Sequence, residues 1–181
     1  MGTLFKPFST VYRVTGNIIR GLLLISLTLI FSSAALLPVN SNYSGEWNFN
    51  EGKSKLAEGR FRAAAQTIKV TQDDAAVSIE RTSNTPNGDA ITTTEKLTFD
   101  GKTTESTVFG NSKKTSTAAW SSGGDEMTIQ STIVFERDGN SFEIKISEVW
   151  KLQNDGKTLS IDYTSTSPRG TQNQTFVYDK K

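Results

Sequence analysis

The sequence predicts an all-β fold: an antiparallel up-and-down meander of eight to ten strands, closed into a barrel and preceded by an N-terminal signal helix. Three observations carry this. Beyond Ser41 the apolar residues come singly, with a period of two instead of the 3.6 of a helix. Turn dipeptides recur between the alternating runs. A single choice of register then brings the apolar faces of the last four runs together.

The alternating runs are 45–50, 66–72, 75–82, 89–99, 102–109, 113–121, 126–136, 141–152, 157–165 and 171–179. Between them lie Asp73-Asp74, Asn87-Gly88, Asp100-Gly101, Asn111-Ser112, Gly123-Gly124, Asp138-Gly139, Asp155-Gly156 and Arg169-Gly170. Asp-Gly and Asn-Gly supply the positive φ angles of tight hairpins. The one interruption, Glu51 to Gly59, reads as a single helical turn. A tight turn at Asp138-Gly139 sets Phe135 opposite Phe142, Ile133 opposite Ile144 and Met127 opposite Trp150. A turn at Asp155-Gly156 pairs Leu152 with Leu159 and Trp150 with Ile161. One near Arg169-Gly170 pairs Ile161 with Phe176 and Leu159 with Tyr178. A slip of one residue would turn every one of these sets outward, so their agreement is informative about the pairing. The strands from 102 to 121 lack such contrast, and their inward set reads as Thr115, Thr117 and Ala119. Closing the meander removes exposed edges. The first strand then pairs with the last, Trp47 plugs one end, and Gly45 lets the chain bend tightly on entry.

Residues 1–41 differ in composition from the rest. They hold Lys6, Arg13 and Arg20, no acidic residue, and the apolar run Gly21 to Phe31 followed by Ser32-Ser-Ala-Ala35. That is the pattern of a secretory signal, cut after Ala35 or after Ser41. The competing reading is an uncleaved membrane anchor, although Gly21 to Val39 barely reaches the roughly 20 residues of a spanning helix. The expectation is a signal at 1–41 and one domain at 42–181, exported to the periplasm or the extracellular space.

The chain has no cysteine. This excludes a lipid-anchored amino terminus and a disulfide framework, so the core alone must hold the domain. Histidine is absent as well, which removes nucleophile–histidine triads and the usual zinc sites. Of 20 basic residues three lie in the leader, leaving 17 against 19 acidic ones and a mature charge of −2. Such a balance gives no support for nucleic-acid binding.

With Gly45-Glu-Trp47 opening the meander, the chain resembles the lipocalin-like (calycin) group, in which Gly-x-Trp marks the first strand. The segments GEWNFNEGKSKL (Gly45 to Leu56) and DGKTLSIDYTSTSPRGTQNQTFVYDK (Asp155 to Lys180) are similar to small bacterial exported lipocalin-like proteins. The resemblance implies a monomeric barrel that holds a small hydrophobic or amphipathic molecule. It also implies a basic residue of the last strand over the Trp. The last strand offers Lys180 at its end, with Arg169 before it and no Arg within it.

Three charged residues fall on apolar-parity faces: Arg81 beside Val77 and Ile79, Glu95 between Ile91 and Leu97, and Glu148 beside Trp150. Register sets Glu148 opposite Tyr163, and Tyr163 opposite Gln174. The ligand-binding candidates are therefore Glu148, Tyr163, Gln174, Arg81, Glu95 and Trp150, a polar layer above an apolar floor. Set against them is an internal ion-pair network that takes no ligand, since a buried carboxylate needs partners in either case. Trp47 and Trp150 read as core, while Trp120, ahead of a Gly-Gly turn, could lie outside. Glu95 and Glu148 as a glycosidase pair is the weakest reading. Asp73-Asp74 and Asp138-Gly-Asn140 are better turns than calcium loops. The sequons Asn42-Tyr-Ser44 and Asn173-Gln-Thr175 matter only in a eukaryotic secretory route. The expected function is non-enzymatic binding or carriage of a small molecule, with no cofactor or metal. The alternative is an envelope-associated structural or interaction module whose barrel is filled.

Overall fold

A computed structural model describes Gly2 and residues 39–57, 64–85, 87–108, 112–137 and 139–181. The predicted leader up to residue 38, the Glu58–Gly59 end of the helical turn, Phe109, Asn111 and Asp138 lie outside these residues. The unit spanning 38–181 carries ten strands. These are β1 (Gly45–Phe49), β2 (Thr67–Gln72), β3 (Ala76–Asn84), β4 (Ala90–Thr98), β5 (Thr104–Val108), β6 (Ser112–Trp120), β7 (Glu126–Arg137), β8 (Asn140–Gln153), β9 (Thr158–Ser167) and β10 (Gly170–Lys180). All ten predicted runs are strands. A single 3₁₀ turn, Glu51–Lys53, follows β1; the Asn50 side chain caps it by accepting from the Lys53 backbone N–H.

The strands form one antiparallel sheet in the order β4-β3-β2-β1-β10-β9-β8-β7-β6-β5. The first strand pairs with the last, with Trp47 opposite Lys180. The register also holds at every pair that parity predicted: Phe135 with Phe142, Ile133 with Ile144, Met127 with Trp150, Leu152 with Leu159, Ile161 with Phe176. The sheet curls into a nearly closed barrel whose remaining seam lies between β4 and β5, the two ends of the strand order.

The middle strands need a correction. Ala118 faces Ile129 and Ser116 faces Ser131, and all four are buried. Lys114, Ser116, Ala118 and Trp120 therefore point inward, and Thr115, Thr117 and Ala119 point outward. Trp120 stacks on Tyr43 at 5.8 Å and meets Phe99 at 5.1 Å, so it belongs to the core.

One end of the barrel is shut by aromatic side chains. Trp47, Tyr43, Trp150 and Tyr178 are fully buried, with Leu159, Met127 and Leu97 around them. Tyr43 lies ahead of β1 and crosses the bottom. Its hydroxyl donates to the Trp150 carbonyl at 2.6 Å, and its own carbonyl accepts from Trp47 Nε1 at 3.0 Å. Burying one such ring contributes roughly 1.5–3 kcal/mol.

Candidate functional site

Strand alternation brings Arg81 (β3), Glu95 (β4), Lys114 and Ser116 (β6), Ser131 (β7) and Glu148 (β8) into the interior at one height. Arg81 Nη2 donates to Glu148 Oε2 at 2.7 Å, and Nη1 reaches Glu95 Oε2 at 3.5 Å. Lys114 Nζ donates to the same Glu95 oxygen at 2.8 Å, while Ser116 Oγ donates to Glu95 Oε1 at 2.5 Å. Ser116 and Ser131 share a bond of 2.9 Å, and Trp150 Nε1 donates to Glu148 Oε2 at 2.9 Å. The Arg81 guanidinium also lies over the Trp150 ring, 5.7 Å from its centroid. Two cations and two carboxylates thus neutralise one another across four strands. Glu95 and Glu148 remain only 7% and 9% exposed.

The surroundings fix the protonation states. Burial by itself would push the Glu95 carboxyl up, but Lys114, Ser116 and Arg81 outweigh it and hold it below its ordinary value. Burial disfavours the charged Arg81, yet Glu148 and Glu95 keep its pKa above the usual one. For Tyr163, burial and then the nearby Glu148 charge push the hydroxyl up to about 12, so it is a neutral donor at physiological pH.

Of the six ligand-binding candidates, Arg81, Glu148 and Tyr163 line one small interior cavity together with Ala65, Phe176 and Tyr178. Its volume is about 20 Å³. That is room for a water molecule, far short of the roughly 300 Å³ at which ligand pockets begin. Trp150 lies beneath it, bonded to Glu148. Glu95 sits apart, on the seam side. Gln174 accepts from the Ala57 backbone N–H at 3.3 Å and so holds the β1–β2 connection against β10. A larger depression of about 220 Å³ lies along β6 and β7, lined mainly by the outward Thr115, Thr117, Gln130 and Thr132 and reaching Ser116 and Ser131.

Above the charged layer the described residues leave part of the apolar β7–β8 wall exposed. Ile133, Phe135, Phe142, Ile144 and Ile146 share the inward parity of Glu148 and its partner Ile129, and Phe135 stacks on Phe142 at 5.1 Å. Phe142 is 39% exposed, and Ile91 at the same end of β4 is 54% exposed. Leu56 and Ala64, from the connection after the 3₁₀ turn, pack on the core near β10.

At the opposite end, Lys180 Nζ lies 5.2 Å from the Trp47 ring centroid, a cation–π contact with a basic residue of the last strand. Gly45 makes this possible. Its φ is +141°, and a Cβ there would stand 3.0 Å from Lys180 Cε.

Sequence reasoning missed Lys114 and Ser116, because β6 was read in the wrong parity; Ser131 lies on the inward face of β7 as read, but a lone serine there gave no signal of its bond to Ser116. Reading Trp120 as core would have corrected it. Tyr43 was missed since it precedes the first alternating run.

No protein-family model matches the chain, and no curated protein matches it. Among solved structures it is similar to the crystal structure of zebrafish ileal bile acid-binding protein complexed with cholic acid. The TM-score is 0.46 at 13% sequence identity, covering 78% of this chain and 100% of that one. Function is therefore read from the geometry of this chain.

Proposed function

We propose that the chain is an exported, lipocalin-like, non-catalytic protein that binds a small amphipathic molecule at the open end of its barrel. The observation that carries this is the inward-facing apolar wall left part-exposed above a salt-bridged layer. Exposed apolar clusters rimmed by polar groups mark binding sites. Phe135, Phe142, Ile133 and Ile144 would take the apolar part of a ligand, and the polar layer below stops it from going deeper. This places the ligand higher than a mid-depth pocket around Glu148 would. The Gly45, Trp47 and Lys180 arrangement and the ten-strand meander support the lipocalin-like assignment.

Export is supported by the basic and apolar leader. Contacts of Ser41 favour a cut after Ala35. Its N–H donates to the Gly124 carbonyl at 2.7 Å, and its carbonyl accepts from Gln72 Nε2 at 2.8 Å; a cut after Ser41 would remove both.

The test is to purify the protein from its export compartment, extract it with organic solvent and analyse the extract by mass spectrometry. A thermal-shift panel of fatty acids, bile salts and detergents follows. A co-purifying amphiphile, or a shift that saturates with concentration, is the expected result. An empty extract with no shift across the panel favours the second reading, a filled barrel serving as an envelope-associated interaction module. The 20 Å³ interior cavity is the observation on that side.

A further inference from the structure

No backbone ladder joins β4 to β5 among the described residues, so side chains alone close the seam. Two side-chain contacts across it stand out among the described residues. Near the closed end, Phe99, just beyond β4, packs on Trp120 of β6. At mid-height, Glu95 of β4 bonds to Lys114 and Ser116 of β6. Above Glu95, Ala90–Thr94 are exposed on both faces, with β3 as their one hydrogen-bonded neighbour among the described residues. The hairpin is in turn attached to the rest of the barrel by the six residue pairs of β2–β3 and, through Arg81 of β3, by the ion pair with Glu148 of β8. Local opening is drawn from segments with exposed backbone and little buried apolar contact, as in Ala90–Thr94.

We infer that the β3–β4 hairpin is the gate of the barrel, turning about the Phe99–Trp120 contact and latched by Glu95. It rests on the binding reading above, since the gate borders the same open end and would admit ligand past Ile91. The latch is ionic by construction. Glu95 faces Lys114 from β6, Arg81 from β3 and, through Arg81, Glu148 from β8. Charge-assisted bonds are about twice as strong as neutral ones. Neutralising Glu95 therefore loosens the seam without leaving a hole, and its Ser116 contact can persist. An inward-pointing charge on an edge strand also protects that edge from pairing with other chains, which gives Glu95 a second reason to stand among apolar neighbours.

The test is hydrogen exchange by mass spectrometry on wild type, Glu95→Gln and Glu148→Gln. The second variant takes a charge from the Arg81 tie between β3 and β8 and leaves the Glu95 bonds across the seam in place. In Glu95→Gln, exchange in peptides covering β4 is expected to rise about tenfold, equivalent to about 1.4 kcal/mol of local opening. Peptides from β9 and β10 should not change, and Glu148→Gln should leave β4 within about twofold of wild type. Stopped-flow binding of 1-anilinonaphthalene-8-sulfonate should be correspondingly faster in Glu95→Gln. If Glu95→Gln does not fold, Ser116→Ala removes a single bond and should raise β4 exchange in the same direction by less. Exchange that rises uniformly over the barrel, or not at all in β4, overturns the latch. Raised β4 exchange with unchanged dye kinetics overturns the gate. A wild type that binds no dye counts against the binding reading alone, and the exchange contrast still decides the latch.

Discussion

Tyr43 shows how one side chain can close a barrel. Its ring is stacked on Trp120 and set edge-on to Trp150, and its hydroxyl serves the Trp150 and Asp125 carbonyls. Tyr43→Phe keeps the ring and should cost about 1–2 kcal/mol for the carbonyls left dry, read as a lower urea midpoint. Gly45 is constrained twice, by backbone conformation and by the passing Lys180 side chain. Gly45→Ala should therefore cost about 1–3 kcal/mol, in contrast to the gain expected where an alanine fits. Lys180→Met at the same end keeps the alkyl cover over Trp47 and removes the cation, so it should cost no more than about 1 kcal/mol. At this scale the sequence was half legible. Gly-x-Trp flagged the end of the barrel, but Tyr43 precedes every periodic run, and its partners are 82 and 107 residues away.

Strands β3, β4, β6 and β8 each donate one charged side chain to the interior layer, and this layer decides how the elements depend on one another. Removing one partner of a buried pair leaves an uncompensated charge. Arg81→Met or Glu148→Leu alone should each cost about 3–5 kcal/mol, while the double variant should cost much less than their sum. Chemical denaturation of the four-member cycle reads this directly. Acid should act through Glu95. Its folded-state pKa lies below the ordinary 4.5, so its contribution is complete above about pH 4.5 and is lost as pH falls through the lower folded value. Alkali should act through tyrosines. Tyr163 is pushed up to about 12, and burial raises Tyr43 and Tyr178 as well. Unfolded tyrosines ionise near 10, so this stability is complete below pH 10 and is lost as pH rises toward 12. Denaturation midpoints at about pH 3, 7 and 11 should peak at 7. The charges themselves were legible because they interrupt apolar parity. Their partners Lys114 and Ser116 were not, because Thr, Ser, Ala and Lys in β6 give no hydrophobic contrast between faces.

For the whole molecule, local signals carried a long way. Period-two alternation and Asp-Gly turns located all ten strands, and parity alone gave the nine pairings named around β7 to β10. The seam was not legible, since an unpaired edge is a property of closure and leaves no mark on β4 or β5 separately. Whether the interior was hollow also had to come from geometry: a register puts Glu148 and Tyr163 on one face without saying that Arg81 and Lys114 fill the space between. The resulting picture, for the described residues, is a barrel packed from Trp47 up to the ionic layer, with a part-exposed apolar wall above it. The most direct test is isoleucine-methyl NMR during titration with an amphiphile that gives a thermal shift. Methyls of Ile91, Ile133 and Ile144 should move with saturation while those of Ile68, Ile79 and Ile129 stay in place. Movement of the deep set, or of neither set, would contradict a ligand seated above the charged layer.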